Sequence, residues 1–207
     1  MGISTRPRLT SRGAATRERI VSAAAELMYE RGVAGTSIDD ILAATGTSKS
    51  QLYHYFGDKD GLVREVIRRQ LDTVISGQRT ELSALGTWEG LRQWRDRIVE
   101  STRSTRGIGG CPVGSLASEL ADQSEPARRE LAACFDEWES YLVNGFAAMQ
   151  RDHLVSDDCD PKELALTVMS ALQGGLLLAQ TNRDVKPLEL ALDMAIAHVE
   201  SHRGPAS

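Results

Sequence analysis

Along this chain apolar residues recur at intervals of three and four, and no stretch alternates with the period of two that a half-buried strand requires. Ile20, Ala24, Leu27 and Met28 form a stripe that predicts a helix over about Ala15–Arg31, closed by Gly32. Ile38, Ile41 and Leu42 predict a short helix starting near Ser37, with the small residues Ala43 and Ala44 on its outer side. Gly46 stands where a helix ends in a left-handed residue, a conformation glycine adopts without steric cost. Ser48 is an N-cap for the next helix, which turns Leu52, Tyr55 and Phe56 inward and Lys49, Ser50, Gln51 and His54 outward. Asp58 caps a longer helix marked by Leu62, Val66, Ile67, Leu71 and Val74, running to about Ser76.

Further along, Trp88, Leu91, Trp94 and Ile98 mark a fifth helix that ends before Gly107, Gly109 and Gly110. A shorter helix follows from Pro112 or Val113 to Ala121. Ser124 caps a long one carrying Leu131, Phe135, Trp138, Leu142 and Met149. Asp160, Pro161 and Glu163 read as N-cap, proline at N1 and capping-box carboxylate of another helix, and Pro187 opens the last. The expectation is an all-α chain of about nine helices, without internal repeat.

Two short helices meeting at the Gly46 corner have the layout of a helix-turn-helix, whose second helix reads base edges in the major groove with its N-terminal residues. Lys49 suits guanine and Gln51 suits adenine. Thr36, Ser37, Tyr53 and Lys59 are single donors suited to phosphate oxygens. The candidate DNA-facing set is therefore Thr36, Ser37, Thr47, Ser48, Lys49, Ser50, Gln51, Tyr53, His54 and Lys59. A helical corner with no DNA role uses the same residue types, so periodicity alone leaves both readings open.

The string GTSIDDILAATGTSKSQLYHYFGDKDGLV, with TRERIVSAAAELMYERGVAGTS before it, resembles the N-terminal domain of the TetR family of bacterial transcriptional regulators, over about the first seventy residues. Gly61 departs from the pattern, standing where many members have an acidic residue or alanine. The resemblance implies a DNA-binding head (residues 14–61) after a flexible basic arm (1–13), then a ligand-binding and dimerisation body (62–207). It also implies a homodimer, often a repressor, that holds a pseudo-palindromic operator on double-stranded DNA and is released by a small-molecule effector. The dimer would form through the last two long helices, by Ala165, Val168, Met169, Leu172, Gly175, Leu176, Ala179, Leu188, Leu192, Ala195 and Val199. Ordinary packing within one chain is the alternative for these residues.

Charge changes the picture once it is divided. The chain carries −5 overall, but residues 1–69 hold 11 Lys+Arg against 8 Asp+Glu, leaving 13 against 21 for the rest. A basic end on an acidic body suits a protein that places one end on phosphates. Arg6, Arg8 and Arg12 add to the basic end.

The chemistry of an enzyme finds no support: His54, His153, His198 and His202 share no spacing with a nucleophile or metal ligands, so neither catalysis, metal nor cofactor is expected. Trp88, Trp94, Phe135, Trp138, Tyr141, Phe146, Met149 and Gln173 are candidates for the wall of an apolar ligand cavity, each also fitting plain core. Three cysteines, Cys111, Cys134 and Cys159, have no CxxC spacing, which fits a reducing cytoplasm. Cys111 precedes a helix start, where a lowered pKa would make a redox or electrophile sensor; a structural thiol is the other reading. No uninterrupted apolar run spans a bilayer and no signal peptide is evident, so neither membrane insertion nor export is expected.

Overall fold

The computed structural model describes residues 10–204, which form ten helices: α1 (Ser11–Arg31), α2 (Ile38–Thr45), α3 (Lys49–Phe56), α4 (Lys59–Gly77), α5 (Arg79–Leu82), α6 (Trp88–Ser104), α7 (Pro112–Leu120), α8 (Glu125–Arg151), α9 (Pro161–Asn182) and α10 (Lys186–Ser201). Among the described residues there is no strand, and one isolated bridge joins Val155 to Arg203. The helix beyond those expected is α5, a single turn with no side-chain cap and too short to show a periodicity. The chain divides into two compact units between Arg69 and Gln70, within α4, rather than at the expected boundary after residue 61.

In the head, α1 starts at Ser11 because Thr10 accepts a hydrogen bond from Gly13 N at 3.2 Å and so caps it. Arg12, expected in a flexible arm, is therefore helical, while Arg6 and Arg8 lie outside the described residues. Ile20, Ala24 and Met28 of α1 pack on α2 and α3, where Ile41, Leu52 and Phe56 are buried. The Arg17 guanidinium lies 5.5 Å from the centre of the Phe56 ring and pairs with Glu65. Ser37 and Ser48 each close a capping box, with Asp40 and Gln51 respectively. Gly46 is left-handed at φ 63, ψ 25, and its N–H returns to Leu42 O at 2.9 Å.

In the body, α8, α9 and α10 pack in succession, α7 lies on α8, and α6 packs on α10. Trp94, Trp138, Phe146, Leu142 and Met149 are buried at its centre. Three ion pairs join α6 to α10: Arg92–Glu200 at 3.1 Å, Arg95–Asp193 at 2.8 Å and Arg103–Glu189 at 2.5 Å. Exposed pairs of this kind contribute about 0–1 kcal/mol each, so the apolar face of α10 carries the contact. At the start of α9, Asp160 accepts from Lys162 N at 2.9 Å; the capping box expected with Glu163 is not formed. By length and mean hydropathy alone α9 could cross a bilayer, but Leu164, Val168, Leu172 and Leu176 pack within the body.

Candidate nucleic-acid interface and ligand cavity

On α3 the side chains of Lys49, Ser50, Gln51, Tyr53 and His54 are all exposed, while Leu52 and Phe56 anchor the helix beneath them. Alternation of this kind on an eight-residue helix presents one polar surface. Gln51 is less free than its exposure implies: its Oε1 accepts from Ser48 N at 3.1 Å, so reading a base requires leaving the cap or using the amide NH2 alone. Ser48 is engaged in return, accepting from Gln51 N at 3.2 Å.

Two residues of the expected DNA-facing set are not at the surface. Thr36 is fully buried and its hydroxyl donates to Gly32 O at 2.8 Å, which holds the turn between α1 and α2. Thr47 is buried beside Thr45, the two hydroxyl oxygens 2.7 Å apart. Ser37 remains exposed at the N-terminus of α2, and its hydrogen bonds hold the Asp40 carboxyl below the usual range. Lys59 donates to Val33 O at 2.8 Å, spanning from the first turn of α4 to the α1–α2 turn. An ammonium has three donors, so two remain for an anion.

Within the body, Cys111 borders two cavities. The first, of about 240 Å³, is lined by Thr73, Val74, Arg97, Ile98, Cys111, Trp138 and Leu176 among others. The second, of about 320 Å³, is lined by Cys111, Ser115, Phe135, Gln173 and Leu177 among others. Of the candidate residues, Trp138 borders the first cavity, and Phe135 and Gln173 border the second. Trp94, Phe146 and Met149 are instead wholly buried core, Tyr141 is half-buried on α8, and Trp88 lies under the Arg203 guanidinium, 4.3 Å from it. Arg97, Ser101 and Thr102 were missed. A search for aromatic residues passes over the polar side of α6, although the spacing of Arg97 and Ser101 shows that they share a face.

Cys111 is the N-cap of α7, its Sγ accepting from Gly114 N at 3.3 Å. Burial pushes the thiol above its ordinary pKa, outweighing the hydrogen bonds from Gly114, Gln173 and Val113 that act the other way. The lowered pKa expected from the helix start is thereby overturned, because desolvation of a thiolate exceeds the stabilisation a helix end provides. All three cysteines are free thiols.

The residues expected at a dimer interface are buried within one chain: Ala165, Val168, Met169, Leu172, Gly175, Leu176 and Ala179 of α9, and Leu188, Leu192, Ala195 and Val199 of α10. At Gly175 a Cβ would stand 2.9 Å from Leu188 Cα, so the small residue serves the α9–α10 contact inside the subunit. The opposite faces of the same helices expose Leu166, Leu177, Leu178, Leu190 and Met194.

Residues 20–66 match the family described as bacterial regulatory proteins, tetR family, and residues 87–194 match that described as transcriptional regulator LmrA/YxaF-like, C-terminal domain. An HTH-type transcriptional regulator of Mycobacterium tuberculosis is 33% identical over 184 residues, covering 84% of this chain and 89% of its own. A TetR transcriptional regulator from Chloroflexus aurantiacus has a similar structure, with a TM-score of 0.76, 27% identity, and coverage of 95% of this chain and 100% of that one. A cysteine mutant of the TetR-family regulator CifR, solved on 26-base-pair operator DNA, superimposes with a TM-score of 0.72 at 24% identity, covering 93% of this chain and 98% of its own. The chain belongs to the TetR family of bacterial transcriptional regulators, with a body of the LmrA/YxaF-like kind. It is a DNA-binding regulator and not an enzyme.

Proposed function

We propose that the protein is a homodimeric repressor that acts in the cytoplasm, holds a pseudo-palindromic operator through paired α3 helices, and releases it when a small, largely apolar effector enters the body. The observation that carries this is the placement of α4: it begins at Lys59 in the head and ends in Thr73, Val74 and Gly77, which line the 240 Å³ cavity. A ligand there touches the same helix that carries Lys59. It changes operator affinity to the extent that it binds the two states of that helix unequally. The exposed leucines of α9 and α10 supply an apolar face for a second copy. Two relatives, DhaR of Mycobacterium sp. and NemR of Escherichia coli, bear the name repressor. The buried, protonated thiol of Cys111 gives the oxidant-sensing alternative no support.

The test is footprinting on DNA from the neighbourhood of the gene, with light scattering of the protein–DNA complex. Two-fold-related protection by a dimer, lost on adding a ligand that fills the cavity, is the expected result. Protection of one half-site by a monomer would overturn the assembly. Undiminished protection with the cavity filled would overturn the release mechanism.

A further inference from the structure

The capping boxes of α2 and α3 share a design but differ in the residue that closes them. On α2 it is an acid: Asp40 Oδ2 accepts from Ser37 N at 2.8 Å and from Ser37 Oγ. On α3 it is an amide. Gln51 Oε1 accepts from Ser48 N at 3.1 Å and from Ser48 Oγ at 3.4 Å, while Gln51 N donates to Ser48 Oγ at 3.2 Å. An amide oxygen has two lone pairs, and the cap engages both. Chemistry fixes which end of the amide faces the cap, because Ser48 N–H is a donor and can meet only the oxygen. The NH2 group is the end left over, on a side chain exposed on the polar side of α3.

A glutamine that pairs with adenine uses both ends of its amide, the oxygen accepting from N6 and the NH2 donating to N7. Held in its cap, Gln51 offers donors alone. Leaving the cap would gain one hydrogen bond, to N6, and give up the two from Ser48. It would also free a side chain that is already held in place, and such preorganisation favours binding as it stands. In the major groove guanine presents O6 and N7 and thymine presents O4, all of them acceptors, whereas the amino group of cytosine would set donor against donor.

We infer that Gln51 reads the major groove from within its capping box, as a donor only, and so selects a keto base, guanine or thymine, in place of bidentate pairing with adenine. The inference rests on the proposed reading of DNA through α3 and names the base that one of its side chains takes.

Duplexes selected by the full chain from a randomised pool give the preferred site, and the position that Gln51 reads is the one where Gln51→Ala loses the preference. Affinities are then measured on four duplexes that differ only in the base at that position. Wild type binds the guanine or the thymine duplex about three- to tenfold more tightly than the adenine duplex, and the cytosine duplex most weakly. Gln51→Glu keeps the cap, since Asp40 shows that a carboxylate closes the same box, and turns the outward group from donor to acceptor. It reverses the order, with cytosine and adenine above guanine and thymine, because a carboxylate accepts from their amino groups. The added negative charge weakens all four duplexes alike and leaves their ratio untouched. Helical dichroism of each variant shows that the comparison is made between folded proteins.

Adenine preferred by wild type overturns the inference, as does a Gln51→Glu protein that keeps the wild-type order or a Gln51→Ala protein that keeps every preference. Lys49→Ala separates this from the proposed function. If Lys49→Ala shifts the selected sequence and Gln51→Ala does not, α3 still reads DNA and only the role of Gln51 falls. If neither shifts it, reading through α3 falls as well. The affinities are measured without effector, so a failure of ligand-driven release leaves the base preference standing.

Discussion

Gly61 looks like a weak choice for the first turn of a helix, worse than alanine by roughly 1 kcal/mol on propensity. The structure supplies the reason, because a Cβ at this position would collide with the carbonyl of Phe56, where α3 ends. Gly61→Ala is therefore expected to destabilise by about 1–3 kcal/mol, the range for overpacking, against the stabilisation that propensity alone predicts. A melting temperature raised by the substitution would show that the α3–α4 corner can give way. Cys111 reverses an expectation in the same manner. Its folded pKa lies above the unfolded value near 8.5, so its contribution to stability is complete below that pH and declines as pH rises through the folded value. Iodoacetamide at pH 7 should modify Cys111 in the native protein at least tenfold more slowly than in the denatured chain, read by peptide mass spectrometry. Equal rates would show an open thiolate. At Thr36 and Thr47 the donor type was legible but its burial was not, because back-bonding to Gly32 O and pairing with Thr45 leave no trace in residue spacing.

Helix boundaries were the most readable feature, since caps are local: Ser37, Ser48, Thr87 and Ser124 each accept a backbone N–H within the first turn of the helix they begin. Which side of an element faces inward was harder. α9 is apolar almost all round, so a 3.6-residue period cannot say whether Leu172 or Leu177 lies inside, and α10 poses the same problem with Leu192 and Met194. Two consequences can be told apart by experiment. Leu172→Glu places an unpaired carboxylate in the core and should unfold the body, with loss of far-ultraviolet dichroism. Met194→Glu or Leu177→Glu should leave helicity intact and yield monomers by light scattering. Dimers in both surface variants would move the second copy elsewhere. At the Ser48–Gln51 box, Ser48→Ala should cost about 1 kcal/mol in denaturant unfolding, and a loss below a few tenths would mean that water replaces the cap.

On the scale of the whole molecule, residues 1–69 carry a net positive charge and the remainder a net negative one, a division the bare count of −5 conceals. Operator affinity should fall steeply with salt. Lys59→Ala should weaken binding to all sequences alike and flatten the logarithmic salt slope by about one; an unchanged slope would leave Lys59 solely as the tie to Val33. The ion pairs between α6 and α10 bear on a different matter, the order in which the chain is made. Arg92 and Glu200 are 108 positions apart, whereas the head consists of residues up to Arg69. With synthesis running from the N-terminus at about 5–20 residues per second, on the order of ten seconds separate the last residue of the head from the helix that closes the body. For that interval each ribosome carries a DNA-reading head without the body that completes the chain.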